Sequence, residues 1–270
     1  MRYRTDAGPA GKHSAPVSAQ AQAQAQAQAI AFVAPTARAE RSHARWFDLD
    51  AVPGLRPAHQ IRLDALTCRT RNLARGEALY RSGDPLEWLF EVHSGMFKTH
   101  IASAEGRVQV AGFQLSGEWL GLDGIGTGRH AVEAVALEYA QVYAIHYAGL
   151  CLLLKEVAAL QRQFHRILGR EIVRNHTMMM MLGGMCAGPR VATFLLDMMQ
   201  RLQARGYSSS SLILRMTRDE IGSYLGLTLE TVSRIFSRLA CDGVLEVKCR
   251  QVDLLDVPAL RRLARGADGV

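Results

Sequence analysis

The chain has 270 residues and a formal net charge of +7, with an isoelectric point of about 9.4. This length allows about two ordinary domains that fold without disulfide staples, and 49% hydrophobic residues exclude a largely disordered chain. The charge is uneven: residues 1–45 carry +4, residues 46–188 carry none, and residues 189–270 carry +3. A basic end favours an acidic partner such as nucleic acid.

The cysteine pattern indicates a reducing compartment. No two cysteines are closer than eight positions, and the odd count fits neither a disulfide framework nor a zinc ribbon. No apolar run reaches the roughly 20 residues of a membrane span, and no signal peptide is evident. We therefore expect a cytoplasmic protein with no membrane contact. The cysteines are Cys68, Cys151, Cys186, Cys241 and Cys249.

The first half of the chain divides into a tail and a β-rich block. Residues 1–45 contain an Ala-Gln alternation and predict a disordered tail. A short helix is expected over residues 57–67. Between residues 68 and 146, short apolar segments alternate with glycines, which is typical of an antiparallel barrel or jelly roll. We assign residues 46–150 to a β-roll effector or sensor domain.

From about Leu150 to Leu182 the apolar residues follow helical spacing, and almost no Gly or Pro interrupts them. A single long helix with an apolar stripe usually pairs with a copy of itself. Glycines near residue 184 and Gly188-Pro189 predict a hinge. Residues 151–188 are thus expected to be the dimerisation helix and hinge of a homodimer, and a further helix is expected over residues 190–204.

A two-helix motif lies within residues 217–242. Thr217 and Glu220 have the spacing of a capping box, Gly226 permits a sharp turn, and Thr228 can cap a second helix. The second helix, at about 228–242, has an apolar face and a polar face. This pattern predicts a helix-turn-helix whose second helix enters the major groove of DNA.

The polar face of that helix has the chemistry of base recognition. Arg234 can donate two hydrogen bonds to guanine, Glu230 can accept from cytosine, and Ser233 can do either. An i,i+4 ion pair between Glu230 and Arg234 on a solvated helix is the alternative. Backbone phosphate contacts are expected from Thr217, Arg218, Thr228, Thr231 and Arg238.

Two alternating segments, 244–248 and 251–254, predict a β-hairpin wing after the motif. A β-roll, a long helix and a winged helix-turn-helix in this order resemble the CRP/FNR family of regulators over about residues 55–265. Residues 112–126 (GFQLSGEWLGLDGIG) and 216–234 (MTRDEIGSYLGLTLETVSR) resemble its FNR branch. The fold class expected is α+β, with an antiparallel, cyclic-nucleotide-binding-like β-roll and residues 189–270 as the DNA-binding domain.

The resemblance implies a dimeric, sequence-specific transcriptional regulator, not an enzyme. It places Glu230, Ser233 and Arg234 at base-reading positions for a palindrome with TTGAT-like half-sites. It also implies contact with RNA polymerase and an activator's role. The loop 104–107 aligns with a polymerase-contacting loop, although Arg107 stands where an acidic residue is expected.

The sensor departs from the family pattern. FNR holds an iron–sulfur cluster on three N-terminal cysteines and one in the β-roll, whereas this chain has no cysteine before Cys68 and has Tyr143 at the β-roll position. The cyclic AMP pocket of CRP uses a Gly-Glu and an Arg-Ser pair, but Leu122 and His130 replace the second member of each pair here. We therefore expect that the chain holds no iron–sulfur cluster and does not bind cyclic AMP.

The alternative is a ligand-binding β-roll, taking haem (a nitric oxide sensor) or a small acidic ligand, whose C-terminal domain contacts protein. Several histidines could bind haem, but none forms an evident ligand pair. Cys186, in the hinge, is a candidate redox residue. No catalytic motif is present on a recognisable fold.

Overall fold

The structure is a computed structural model that describes residues 57–66, 69–102, 106 and 108–266. All of these belong to one compact unit, His43–Val270. The predicted tail (1–45), Cys68, most of the loop 104–107 and the last four residues lie outside the described part of the chain.

The N-terminal part is the predicted antiparallel β-roll. A helix, α1 (Pro57–Leu66), precedes eight strands that form two four-stranded sheets, in the orders β1-β8-β3-β6 and β2-β7-β4-β5. The strands are β1 (Arg69–Leu73), β2 (Ala78–Tyr80), β3 (Trp88–Ser94), β4 (Met96–Ala102), β5 (Val108–Leu115), β6 (Trp119–Leu120), β7 (Glu133–Ala136) and β8 (Ala140–His146).

The two sheets bury their facing side chains against each other. Leu73, Phe97 and Val142 are fully buried members of this core. Gly95 makes the turn between β3 and β4 at φ 83°, and a Cβ there would lie 2.7 Å from the Ala140 Cβ. Only glycine fits this position, so the glycine spacing of the sequence follows from the tight strand turns.

Helices link the β-roll to the C-terminal domain, and here one expectation was wrong. Instead of one helix from about Leu150, the chain forms α2 (Tyr147–Glu156) and α3 (Ala158–Gly184). They are separated by Val157, whose backbone is non-helical at φ −119° and ψ 89°. The Val157 side chain is buried in the apolar cluster under α2 and α3. The break lets both helices turn their apolar faces into that cluster, a tertiary gain that the local periodicity does not reveal.

The C-terminal part is a winged helix-turn-helix. It begins with α4 (Ala187–Gln203), which includes Gly188 and Pro189 in its first turn and so starts earlier than expected. Its other elements are β9 (Ser211–Ile213), α5 (Arg218–Leu225), α6 (Leu229–Cys241), β10 (Leu245–Lys248), β11 (Gln251–Leu254) and α7 (Val257–Ala264). The predicted wing is β10–β11, and β9 adds a third strand beside β11.

Within the described ranges, no helix combines the length and the apolar character needed to cross a bilayer.

Candidate nucleic-acid interface

Helix α5 begins with the predicted capping box. The Thr217 Oγ1 accepts a hydrogen bond from the Glu220 backbone N–H at 3.1 Å, and the Glu220 Oε2 accepts from the Thr217 N–H at 2.7 Å. Two backbone donors that would otherwise lack partners are thereby satisfied. The cap fixes where the first helix of the motif starts.

Two glycines shape the turn between α5 and α6. Gly226 ends α5 in the left-handed region at φ 64°, as the sequence predicts. At Gly222, inside α5, a Cβ would lie 2.7 Å from the Leu227 carbonyl oxygen. The chain can therefore pass close to α5 as it enters α6, and the two helices keep a fixed relation.

Helix α6 separates an apolar from a polar face, although Leu229, an apolar residue at its first position, is 43% exposed. Thr228 caps it by accepting from the Thr231 N–H at 3.2 Å. The inward side chains are buried in the C-terminal core: Val232, Ile235, Phe236 and Leu239. The outward positions Glu230 and Arg234 are exposed, and Ser233 is half-buried beside them. The three candidate base-reading residues thus share the solvent face of one rigidly packed helix.

The expected alternative, an ion pair between Glu230 and Arg234, is not formed. No contact within 4.0 Å joins their charged groups in this described segment, although the pKa of Glu230 is lowered by its own backbone N–H, by Thr228 and, more weakly, by Arg234. The Glu230 carboxylate interacts with the start of its own helix, and Arg234 is exposed to an external partner.

The candidate phosphate-contacting residues differ in their surroundings. Thr217, Thr228 and Arg238 are exposed, and Thr231 is half-buried. The Arg218 guanidinium lies 3.3 Å from the centre of the Phe236 ring, and burial lowers the pKa of Arg218 to about 10. Arg218 therefore remains charged at neutral pH. Its guanidinium packs against the Phe236 ring of α6, which holds the cation next to that helix.

Arg190, which no local sequence pattern singles out, ties the hinge to the motif. Its guanidinium donates to three backbone carbonyls: Leu182 at 3.0 Å, Met185 at 2.9 Å and Leu225 at 3.0 Å. These oxygens belong to the end of α3, the hinge and the end of α5. One side chain thus orients the helix-turn-helix relative to the long helix.

A second contact that the sequence pattern does not predict joins the helix-turn-helix motif to the β-roll. Strand β5 is an edge strand, and the Ser223 Oγ on α5 accepts from the Val110 N–H at 2.9 Å and donates to the Val108 carbonyl at 3.2 Å. Nearby, the Lys98 Nζ donates to the Glu220 Oε1 at 2.7 Å. The Ser223 hydroxyl thus hydrogen-bonds the free backbone edge of β5, as a neighbouring strand would. Nothing in the local sequence around Ser223 indicates this contact.

A cluster of charged side chains is centred on Glu118, in the turn before β6. Its carboxylate lies 2.6 Å from Arg201, 2.7 Å from Arg205 and 3.3 Å from Arg174. Burial alone would raise the pKa of Glu118, but the three arginines, Arg201 foremost, lower it below its usual value. The β-roll is thereby bound to both α3 and α4. Glu118 lies within the family-like segment, but its partners are 56 to 87 positions away.

The cysteines do not form a metal site in the part of the chain that the structure describes. Cys151, Cys186, Cys241 and Cys249 are free and lie on different elements, and no three potential metal ligands gather anywhere in those ranges. Tyr143 stands on β8 with its ring 4.7 Å from that of His93. These residues do not fit a four-thiolate cluster. Cys186 is exposed at the start of α4.

Comparison with known families matches both halves of the chain. Residues 70–156 match the cyclic nucleotide-binding domain, and residues 189–263 match the Crp-like helix-turn-helix domain. Together these segments span the β-roll and the DNA-binding domain described above.

Individual relatives agree with this. The chain is 43% identical over 213 residues to the transcriptional regulatory protein btr of Bordetella pertussis, covering 78% of this chain and 88% of that one. It is 41% identical over 204 residues to the transcriptional activator protein anr of Pseudomonas aeruginosa, covering 76% and 84%. The solved structure of FixK2 from Bradyrhizobium japonicum superposes with a TM-score of 0.67 at 31% identity, covering 72% of this chain and 96% of that chain.

The Bordetella and Pseudomonas relatives are named as transcriptional regulators rather than enzymes, and the FixK2 structure shares the fold of this chain. The chain is a DNA-binding transcriptional regulator and belongs to the CRP/FNR family.

Proposed function

We propose that the chain acts as a homodimer that reads an FNR-type palindrome with TTGAT-like half-sites. Glu230, Ser233 and Arg234 contact base edges in this proposal, while Thr217, Arg218, Thr228, Thr231 and Arg238 contact phosphates. The observation that supports it most directly is the solvent face of α6, where the three base-reading candidates lie together over a fully buried inner face. An α-helix with this arrangement fits the major groove.

The dimer is supported by apolar side chains that α3 leaves exposed in the single chain. Ile172, Val173, Met179 and Met180 are each more than half exposed. Exposed apolar residues along one long helix favour pairing with a second copy of that helix. Two recognition helices related by a two-fold axis then match the two-fold symmetry of a palindrome.

The division of labour follows the sequence expectations. Residues 46–150 serve as the sensor domain, 151–188 as the dimerisation segment and 189–270 as the DNA-binding domain, with the tail at 1–45. We propose that the protein works in the cytoplasm without an iron–sulfur cluster and activates transcription through contact with RNA polymerase. The activator assignment is supported by the name of the Pseudomonas relative.

Fluorescence anisotropy with labelled duplexes tests the proposal. The purified chain should bind a TTGAT palindrome at least about a thousandfold more tightly than a scrambled duplex of the same composition, the lower end of typical specificity ratios. Affinity should fall steeply with salt because phosphate neutralisation releases counterions. Equal affinity for both duplexes would contradict the half-site, and no binding to any duplex would favour the protein-binding alternative.

The cofactor part of the proposal has its own test. Protein purified without air should show no absorption from haem or an iron–sulfur cluster, and metal analysis should find no iron. Iron in amounts stoichiometric with the chain would contradict it.

A further inference from the structure

A cavity of about 370 Å³ lies between the β-roll and α3. Its β-roll wall includes Tyr80, Gln114 and Asp123, and its helical wall includes Glu171 and Asn175. None of the described side chains that line it is Lys or Arg. The cavity is lined by the carboxyl groups of Asp123 and Glu171, whose negative charge would repel an anionic ligand.

Nevertheless, the cavity wall contains an anion cradle, built from backbone. The N–H groups of Ala131 and Val132, two successive residues, point at one oxygen, the Asp123 Oδ2, at 2.6 Å and 3.2 Å. Successive N–H groups that converge on one point form a site for a negatively charged oxygen. In this chain that oxygen belongs to Asp123, which follows Leu122 in the 3₁₀ turn Leu122–Gly124.

The other oxygen of Asp123 faces a buried aromatic pair. The Asp123 Oδ1 lies 3.5 Å from the Tyr80 hydroxyl and 3.7 Å from the His130 Nδ1. The His130 and Tyr80 rings are stacked, with centroids 3.8 Å apart, and the Gly121 N–H donates to the Tyr80 hydroxyl at 3.0 Å. The cradle is therefore surrounded by groups that are held in place by packing and hydrogen bonds.

His130 gives independent evidence that this place is built around an anion. Its side chain is 4% exposed, and its Nδ1 has no partner within hydrogen-bond distance. A buried imidazole nitrogen without a partner costs free energy, and here it is directed at the Asp123 carboxylate just beyond hydrogen-bond range. The nearby cation of Arg129 does not serve this purpose, because its guanidinium donates to the Gly83 carbonyl at 2.8 Å.

The charge of Asp123 fits this role. Burial would raise its pKa, but the His130 imidazole and the two backbone N–H groups lower it below its usual value. Asp123 is therefore ionised at neutral pH. Its side chain is 21% exposed, so the cradle would be reachable from solvent if the carboxylate were removed.

We propose that Asp123 is a built-in anionic ligand: its carboxylate fills a latent oxyanion site of the β-roll, made by the Ala131 and Val132 N–H groups and His130. The β-roll thus folds around this site without a small phosphate-type ligand and binds none while Asp123 is present. Removing the carboxylate opens a site for phosphate or a similar oxyanion.

Thermal unfolding of the full-length dimer in phosphate and in chloride, at equal pH and ionic strength, tests this. The parent should show only the small, non-saturable rise in Tm that phosphate, as a kosmotropic anion, gives to folded proteins generally. Asp123→Ala should have a lower Tm in chloride, and phosphate should restore about 2–4 °C in a saturable manner, as ligand linkage with a Kd below the phosphate concentration predicts.

A matched control is available within the same domain. The Asp84 Oδ2 also accepts a backbone N–H, from Arg81 at 2.8 Å, but no second N–H or buried imidazole faces it. Asp84→Ala should lose stability, and phosphate should raise its Tm by no more than it raises that of the parent. Rescue of Asp84→Ala to the same extent would contradict a specific cradle, as would a saturable phosphate effect on the parent.

Asp123→Asn provides a second route if the alanine variant does not fold. The amide keeps an acceptor oxygen for the two N–H groups but carries no charge, so phosphate should compete with it and raise its Tm, by less than in Asp123→Ala. If a folded variant at Asp123 gains no more from phosphate than the parent does, the proposal is wrong. Because no DNA is present, this result is separate from that of the DNA-binding experiments.

Discussion

The Arg190 guanidinium donates to the backbone carbonyl of Leu225 at 3.0 Å and so joins the first turn of α4 to the last turn of α5. The same group reaches the carbonyl of Leu182, at the end of the long helix, and that of Met185. The C-terminal carbonyls of a helix have no intrahelical partner and carry partial negative charge, which makes a guanidinium a strong partner for them. Arg190 thus helps to orient the DNA-reading head, alongside the contacts of Ser223 and Glu220 with the β-roll.

Replacing Arg190 tests this coupling. Arg190→Ala should lower the free energy of unfolding by about 1–3 kcal/mol, since charge-assisted hydrogen bonds are lost at a partly buried site. It should also weaken DNA binding, because two recognition helices with variable orientation no longer match both half-sites. Denaturant unfolding and anisotropy measure the two effects. Arg262→Ala, an exposed arginine on α7, is the control; an equal loss in that variant would show that the effect is one of net charge.

Arg234→Ala should cost about 1–3 kcal/mol of binding free energy and relax specificity at one base pair of each half-site. The reason is that Arg234 is exposed on the face of α6 and makes no competing ion pair with Glu230. Competition binding with duplexes altered at each position measures it. Ser237→Ala, an exposed change on the same helix, should leave the specificity profile unchanged. If Arg234→Ala binds the palindrome as tightly as the parent, the assigned base contacts are wrong.

Glu118→Gln should destabilise the protein at pH 7 by about 3 kcal/mol, because Arg201, 12% exposed, loses one of its two carboxylate partners and keeps Asp197 at 3.1 Å. The lowered pKa of Glu118 means that its contribution is complete at neutral pH and is lost as pH falls through the folded-state pKa. The difference between parent and variant should therefore shrink in acid.

Glu171→Gln is the comparison for Glu118. Glu171 also contacts Arg174, at 3.2 Å, but burial raises its pKa and it is 32% exposed. Glu171→Gln should therefore lower the free energy of unfolding only slightly. Unfolding free energies across the acid range measure both variants, and a pH-independent deficit in Glu118→Gln would argue against the ion cluster as the cause.

Glu91→Gln should stabilise the protein in alkaline solution. Glu91 is 4% exposed, its Oε2 has no hydrogen-bond partner, and burial raises its pKa to about 8. The folded state therefore keeps a proton that the unfolded chain releases, so this group lowers stability as pH rises from its ordinary pKa to about 8. The variant should nearly equal the parent near pH 4.5 and exceed it by about 4 kcal/mol at pH 8, since each pKa unit corresponds to about 1.4 kcal/mol. A gain that is the same at both pH values would contradict the titration.

Much of the reading head follows from local sequence. Thr217 and Glu220 are three residues apart, and their reciprocal hydrogen bonds need only a helix between them. Gly226 ends α5 in a backbone conformation that glycine adopts without strain. The apolar period of α6 determines which residues face the core, and the remaining positions, Glu230 and Arg234 among them, must face solvent.

The break at Val157 shows where the local pattern is insufficient. Helical spacing continues across Val157, and a valine is tolerated in a helix at small cost. The packing of α2 and α3 against one apolar cluster makes the extended conformation favourable. That gain depends on residues distant in sequence, so a window along the chain cannot contain it.

By itself, the sequence determined the kinds of elements, their caps and turns, and the polar face of the recognition helix, because each depends on residues within one or two turns of one another. The tertiary structure decided the partners of the charged side chains: Arg190 with the helix ends, Glu118 with three arginines, and Asp123 with two backbone N–H groups. Most of these contacts join residues far apart along the chain, and even the eight residues from Asp123 to Ala131 meet only through a folded turn. Their free energy depends on burial and distance, which arise only once the domains have packed.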